Sequence, residues 1–285
     1  MLSPEQIAFY QENGYLTVEN VLSADELAEL RRVTDEFVEQ SRGLSASDDI
    51  FDLEPNHSAE RPRLRRIKNP ILQHEVYDQI FRHEGILDIV EQLIGPGIRR
   101  NTTKLNMKEP DHGSAVEWHQ DWAFYPHTND DVLAVGVCID DMTEENGCML
   151  MVPGSHKGEL HSHHENGVFV GAVSEPDFQP GEVAQCLVKA GGITIHHART
   201  LHASTPNHSA NPRRLLLFEY CSLDSWPLLG VPAYDDYCAT VIRGEPSVRP
   251  RAEAVPVIIP LPKPDKAGSI FEIQEALRHK EMAGQ

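Results

Sequence analysis

A mainly β protein with flanking helices is the fold class this sequence predicts, and three observations predict it. Helical periodicity and capping signals crowd into the first third of the chain, up to Gly95-Pro96-Gly97. Beyond that punctuation, short strand-like runs alternate with turn residues, a spacing that indicates a sandwich or barrel. At 285 residues the chain suits one large domain: residues 1–97 mostly helical, 98–222 a β core and 223–285 a C-terminal extension.

Ser3-Pro4-Glu5-Gln6 combines a capping box with Pro at the first helical position, and Gly14 supplies a stop, so a helix is predicted over 4–13. Tyr15-Leu16-Thr17-Val18 then reads as a strand. Ser23-Ala24-Asp25-Glu26 is a second capping box, and Leu27, Leu30, Val33 and Phe37 behind it form the stripe of an amphipathic helix ending by Gly43. Residues 44–62 are polar and without period, hence a surface loop. Arg61, Arg63, Arg65, Arg66 and Lys68 form a basic run, either a solvated stretch balanced by nearby acids or a contact for an anionic substrate or co-substrate. Helical spacing returns from Tyr77 through Ile94 in two pieces.

Strands are predicted over 98–108, 115–122, 132–140, 148–153, 184–189, 192–197 and 213–222. In the third of these, Leu133, Val135, Val137 and Ile139 alternate with Ala134, Gly136 and Cys138, as in a core strand that also lines a cavity. Residues 155–182 are rich in His and Gly and aperiodic, the signature of a lid or binding loop. Beyond 222 the chain is Pro-rich until Ser269-Ile270-Phe271-Glu272 caps a last helix.

A net charge of −19, from 25 Lys and Arg against 44 Asp and Glu, argues against non-specific binding to nucleic acid or an anionic membrane. No stretch reaches the roughly 18 apolar residues of a membrane span. The five cysteines, Cys138, Cys148, Cys186, Cys221 and Cys238, are odd in number and widely spaced, which suggests reduced thiols rather than a disulfide framework or zinc ribbon. With no secretory leader at the N-terminus, a cytoplasmic location is expected.

The stretch that carries chemistry is Glu117-Trp118-His119-Gln120-Asp121. On an extended strand a His-x-Asp pair places both side chains on one face. Completed by a distant imidazole, the pair becomes the 2-His-1-carboxylate triad that holds non-haem Fe(II) and leaves positions open. Of the chain's fifteen histidines, the fourteen other than His119 compete for the third place. His161, His163 and His164 lie in a polar loop and read as solvent-exposed, whereas His202 is followed by the small residues Ala203 and Ser204. Arg213 then heads the apolar strand Leu215-Leu216-Leu217-Phe218. A buried Arg needs an anionic partner. That partner is a structural carboxylate or the carboxylate of a keto acid held by a bidentate fork.

In order along the chain, Gly14-Tyr15-Leu16, His119-Gln120-Asp121, Asn146-Gly147-Cys148, Pro153-Gly154-Ser155-His156-Lys157-Gly158, His202-Ala203-Ser204 and Arg213 resemble the phytanoyl-CoA dioxygenase family of Fe(II)- and 2-oxoglutarate-dependent oxygenases. The resemblance implies a double-stranded β-helix, the jelly-roll or cupin-like barrel. It places His119, Asp121 and His202 on the iron ligands and Arg213 on the residue that binds the distal carboxylate of 2-oxoglutarate. Gln120 and Ser204 fall on positions lining the co-substrate site, and Lys68 and Lys104 on basic positions near it. Ala203 stands where Gly is common in the family, and Val137 where some members have Trp, which implies a differently shaped pocket. The carboxylate of Asp121 favours hydroxylation over halogenation.

The implied reaction consumes O2 and 2-oxoglutarate, hydroxylates a C–H bond of a small-molecule substrate and releases succinate and CO2. Trp122, Phe124, Tyr125, His127, Trp226 and the 155–182 loop are candidate pocket residues. Two rivals use the same triad: a cupin-like hydrolase or isomerase holding Zn(II) or Mn(II), and a non-catalytic binding protein. Arg213 discriminates, because neither rival needs it. Neither nucleic acid nor membrane is expected as a partner.

Overall fold

The computed structural model of the protein describes residues 1–110, 113–231, 233–259, 261–262, 268–277 and 280–282. The first two helices, α1 (Pro4–Asn13) and α2 (Ala24–Gln40), begin on the predicted capping boxes: Ser3 accepts from the Gln6 amide and Ser23 from the Glu26 amide. Each such cap contributes about 1 kcal/mol. Gly14, at φ 77°, turns the chain out of α1 and into β1 (Tyr15–Val18).

The stretch expected to be a surface loop holds a strand, β2 (Phe51–Leu53), paired with β3 (Leu64–Lys68). Its polar composition hid it. Asp52 is wholly buried and answered by Arg65 at 3.0 Å and by the Ser269 hydroxyl, so charge here marks an internal ion pair rather than solvent. The basic run is corrected with it: Arg63, Arg65 and Arg66 are buried, and Arg66 Nε donates to Asn106 Oδ1 at 2.9 Å. A single turn, α3 (Pro70–Gln73), precedes the two pieces read from Tyr77 to Ile94, α4 (Glu75–Phe81) and α5 (Glu84–Ile94).

The seven predicted strands follow as β4 (Ile98–Lys108), β5 (Val116–His119), β6 (Val132–Cys138), β7 (Met149–Met151), β10 (Ala184–Cys186), β11 (Ile193–His197) and β13 (Arg213–Ser222), joined by three that the sequence does not predict: β8 (His164–Glu165) and β9 (Val168–Phe169) inside the expected loop, and β12 (His202–Ser204). After these come α6 (Tyr234–Cys238), β14 (Val241–Arg243) and α7 (Ile270–Ile273). The larger antiparallel sheet runs β1-β11-β6-β13-β4-β3-β2 with β14 beside β4, and the smaller runs β10-β7-β12-β5. The two face each other across one cavity, as in the cupin-like fold.

Strand alternation separates the faces of the larger sheet. Leu105, Met107, Leu216 and Phe218 pack outward with Leu30, Val33 and Phe37 of α2, Tyr77 and Phe81 of α4 and Val90 of α5. Each such side chain contributes roughly 1.5–3 kcal/mol by leaving water. Val137 belongs to this outer layer, with Leu133, Val135 and Ile139. The expectation that it shapes the pocket is therefore corrected: its parity points it at the helices. The small face of β6 does not line the cavity either, because Thr194 and Leu215 fill the space over Gly136.

Candidate active site

Strand β5 ends on His119, Gln120 stays extended, and Asp121 opens a single 3-10 turn. Alternation survives for these residues, so His119 and Asp121 face the cavity while Gln120 faces away. His119 Nδ1 donates to Glu117 O at 2.8 Å and His202 Nδ1 to Thr200 O at 2.9 Å, each two residues back along the chain. Both Nε2 atoms are thereby left bare toward the cavity, the tautomer a metal ligand needs. β12 lies antiparallel to β5 with His202 opposite His119, which brings the rings to 4.0 Å between centroids. Ligand atoms of His119, Asp121 and His202 all fall within 4.8 Å of one another, and all three residues are buried.

Burial holds the imidazoles neutral, His119 at about 4 and His202 well below its ordinary value. Burial alone would raise Asp121, but Lys104 and the hydrogen bond from His196 hold it well below the usual carboxylate range. Lys104 Nζ lies 4.0 Å from Asp121 and 2.8 Å from Glu219, both buried. Two neutral nitrogens and one ionised carboxylate suit a divalent first-row metal.

The other wall carries cations. Arg213 is buried, and Nη2 donates to Gly147 O at 3.0 Å. Its Nε is buried without a partner, and no carboxylate pairs with it among the described residues. Burial pulls its guanidinium down to about 10. Gly147, at φ +78°, is required here, since a Cβ would stand 2.4 Å from Thr205 O. Arg214 points the other way, into Asp140 at 2.8 Å and Asp35 at 2.6 Å. Opposite Arg213 in register stands Lys108, wholly buried, donating to Ser114 O at 2.6 Å and Thr205 O at 2.7 Å. Sequence reasoning missed it, although Lys104, Asn106 and Lys108 at alternate positions of one strand were the available signal.

Lys104, Ser204, Arg213 and the triad all line one cavity. Gln120 does not: its amide donates to Glu159 O and Arg199 O and accepts from the His161 amide, so it fastens the following loop instead. Lys68 does not either, because its ammonium donates to Asp48 O. His163, expected in solvent, is buried and accepts from the Gln120 amide at 2.9 Å. Trp122, Phe124, Tyr125, His127 and Trp226 do not line the cavity: Trp122 packs in a cluster with Val132 and Cys221 and Trp226 stacks on Tyr237, whereas Phe124 stays beside the triad, its ring edge-on to His119 at 5.9 Å between centroids, and the buried Tyr125 hydroxyl faces Asp121 and Glu219. No residue of 155–182 lines the cavity, and the roof comes from Ile270 and Phe271 of α7. Gln274 fixes that helix, accepting from the Glu117 amide and donating to Gly171 O.

An unpaired guanidinium facing a His-Asp-His triad inside a double-sheet fold fits both a divalent iron ion and a dicarboxylic keto acid, and the class so defined is the non-haem Fe(II)- and 2-oxoglutarate-dependent dioxygenase. The phytanoyl-CoA dioxygenase (PhyH) family model matches residues 10–215, and the chain belongs to that family. It is 38% identical over 97% of its length, and 98% of the relative's, to a probable alpha-ketoglutarate-dependent hypophosphite dioxygenase from Stutzerimonas stutzeri. With peroxisomal phytanoyl-CoA dioxygenase of Rattus norvegicus it shares 28% identity over 79% of this chain and 70% of that one. The structure of EctD from S. alaskensis with 2-oxoglutarate and 5-hydroxyectoine superposes with a TM-score of 0.65 at 22% identity, over 88% of this chain and 87% of that one, a likeness of fold.

Proposed function

We propose that His119, Asp121 and His202 bind the iron, that Arg213, with Lys108 and Ser204, receives the far carboxylate of 2-oxoglutarate, and that the chain hydroxylates a small anion, hypophosphite being the first to test. The observation that carries the residue assignment is the buried Arg213 with an unanswered Nε. A buried guanidinium without a counter-ion is strongly penalised, and an incoming carboxylate removes the penalty. When bound, iron and 2-oxoglutarate together would supply the oxidising chemistry, by which the substrate, O2 and the keto acid become the oxidised substrate, succinate and CO2.

The chain's own residues prepare that chemistry. Glu117 O and Thr200 O hold the two imidazoles with Nε2 toward the cavity. Lys104 and His196 keep Asp121 ionised. Val116, Met149, Leu215, Leu217, Ile270 and Phe271 line the remaining wall and exclude water. The substrate reading is supported by the full-length similarity to a hypophosphite dioxygenase and by the cationic lining. A second reading, C–H hydroxylation of a small organic molecule, is favoured by the apolar roof of Ile270 and Phe271. The five free cysteines fit a cytoplasmic setting, and among the described residues no helix is long and apolar enough to cross a membrane.

Anaerobic Fe(II)-loaded protein titrated with 2-oxoglutarate should develop the weak visible charge-transfer band of the chelate. Adding O2 with hypophosphite should then release succinate in step with phosphite. No band in protein shown to hold iron overturns the residue assignment. A band with no hypophosphite-dependent succinate moves the search to organic substrates.

A further inference from the structure

His196 projects from β11 into the cavity beside the triad, and its part there is separate from ligation. It is buried, with Nε2 3.1 Å from Asp121 Oδ2. A carboxylate only accepts, so Nε2 carries the proton. The second carboxylate oxygen, Oδ1, is the one turned to the triad, 3.7 Å from His119 Nε2 and 4.0 Å from Lys104 Nζ. The His196 ring lies 4.3 Å from the His202 ring, so packing as well as the hydrogen bond fixes it.

We infer that His196 is a positioning residue that restricts Asp121 to binding the metal through one oxygen. The inference rests on the ligand assignment proposed above. Three ligand atoms on one face of a six-coordinate ion leave three positions, two for the keto acid and one for dioxygen. Carboxylates also bind cations through both oxygens, and here that would take the last position. A hydrogen bond to Oδ2 opposes the second metal bond and keeps the position free. Lys104 approaches the other oxygen and gives no such protection.

Nitric oxide serves as a redox-inert stand-in for dioxygen in the test. Fe(II)-loaded protein saturated with 2-oxoglutarate is titrated anaerobically with nitric oxide while the paramagnetic signal of the adduct is recorded. In His196→Phe the chelate band should persist while nitric oxide binds about 10- to 100-fold more weakly, the usual range for loss of an outer hydrogen-bond partner. His196→Gln, whose amide donates at similar reach, should restore it. Binding of nitric oxide by His196→Phe as tight as wild type overturns the role. Should the Phe variant hold no iron, the Gln variant decides: wild-type nitric oxide binding supports the role and weakened binding overturns it. His119→Ala, tested alongside for iron content, should lose the metal; full retention overturns the ligand assignment, and the positioning role falls with it.

Discussion

The two polar ends of the cavity are both buried, yet they are charged in opposite ways. At the triad, Asp121 is answered by Lys104 and His196, and Lys104 in turn by Glu219. At the other end Arg213 and Lys108 face each other in register, donating to the carbonyls of Gly147, Ser114 and Thr205 and paired with no carboxylate among the described residues, with Arg213 Nε left unanswered. Burial and the charge of Arg213 pull Lys108 well below its ordinary value. One end is balanced from within, and on the proposed assignment a metal completes it. At the other end the buried guanidinium of Arg213 has no carboxylate partner among the described residues, and on the same proposal its counter-charge arrives with the keto acid. The same strand shows the contrast at adjacent residues: Arg214 is tied to Asp140 and Asp35, while Arg213 is left open.

Replacing Asp121 by Ala is the largest test, since it removes the one carboxylate of the triad. Iron-dependent turnover should fall below detection while circular dichroism shows the fold intact, and undiminished turnover would take Asp121 out of the site. Next, Arg213→Ala should raise the 2-oxoglutarate requirement on the order of 100-fold by the usual penalty for breaking a buried charge pair. Iron content should stay unchanged. Arg214→Ala should leave that requirement alone; if it behaves like Arg213→Ala, the contrast between the two neighbours is wrong. Lys108→Met should raise the requirement by roughly tenfold, the weight of one charge-assisted hydrogen bond, and an unchanged value would make Lys108 a strut for the turns at Ser114 and Thr205.

A last prediction concerns stability rather than the cavity's two ends. His163 and His127 are buried at about 3 and His119 at about 4, all through burial, against about 6.5 for an exposed imidazole. Between pH 6.5 and 4 the unfolded chain binds protons that the folded chain refuses, so stability falls as pH falls, by up to about 1.4 kcal/mol per group per pH unit. Metal-free protein should melt several degrees lower at pH 5 than at pH 7. An equal Tm at both would show that one or more of these rings sits protonated in the fold.

Much of this was legible in the residues. The capping boxes at Ser3, Ser23 and Ser269 start helices where expected. His119, Asp121 and His202 converge because one strand's alternation and one antiparallel pairing suffice to bring them together. The misreadings share a cause. Asp52, Arg65, Arg66 and His163 looked solvated because polarity was taken for exposure, whereas each has a partner from a distant segment. Gln120 matched its motif, yet it faces away from the cavity. Phe271 reaches the site only because the chain's end folds back over it, a contact that no local pattern contains.

That return has a further consequence. The match to the family model ends at residue 215, after the triad, Lys108 and Arg213. The roof, Ile270 and Phe271, lies beyond it. A substitution at Ile270 or Phe271 therefore changes the cover of the cavity without touching the triad or any residue of the matched stretch.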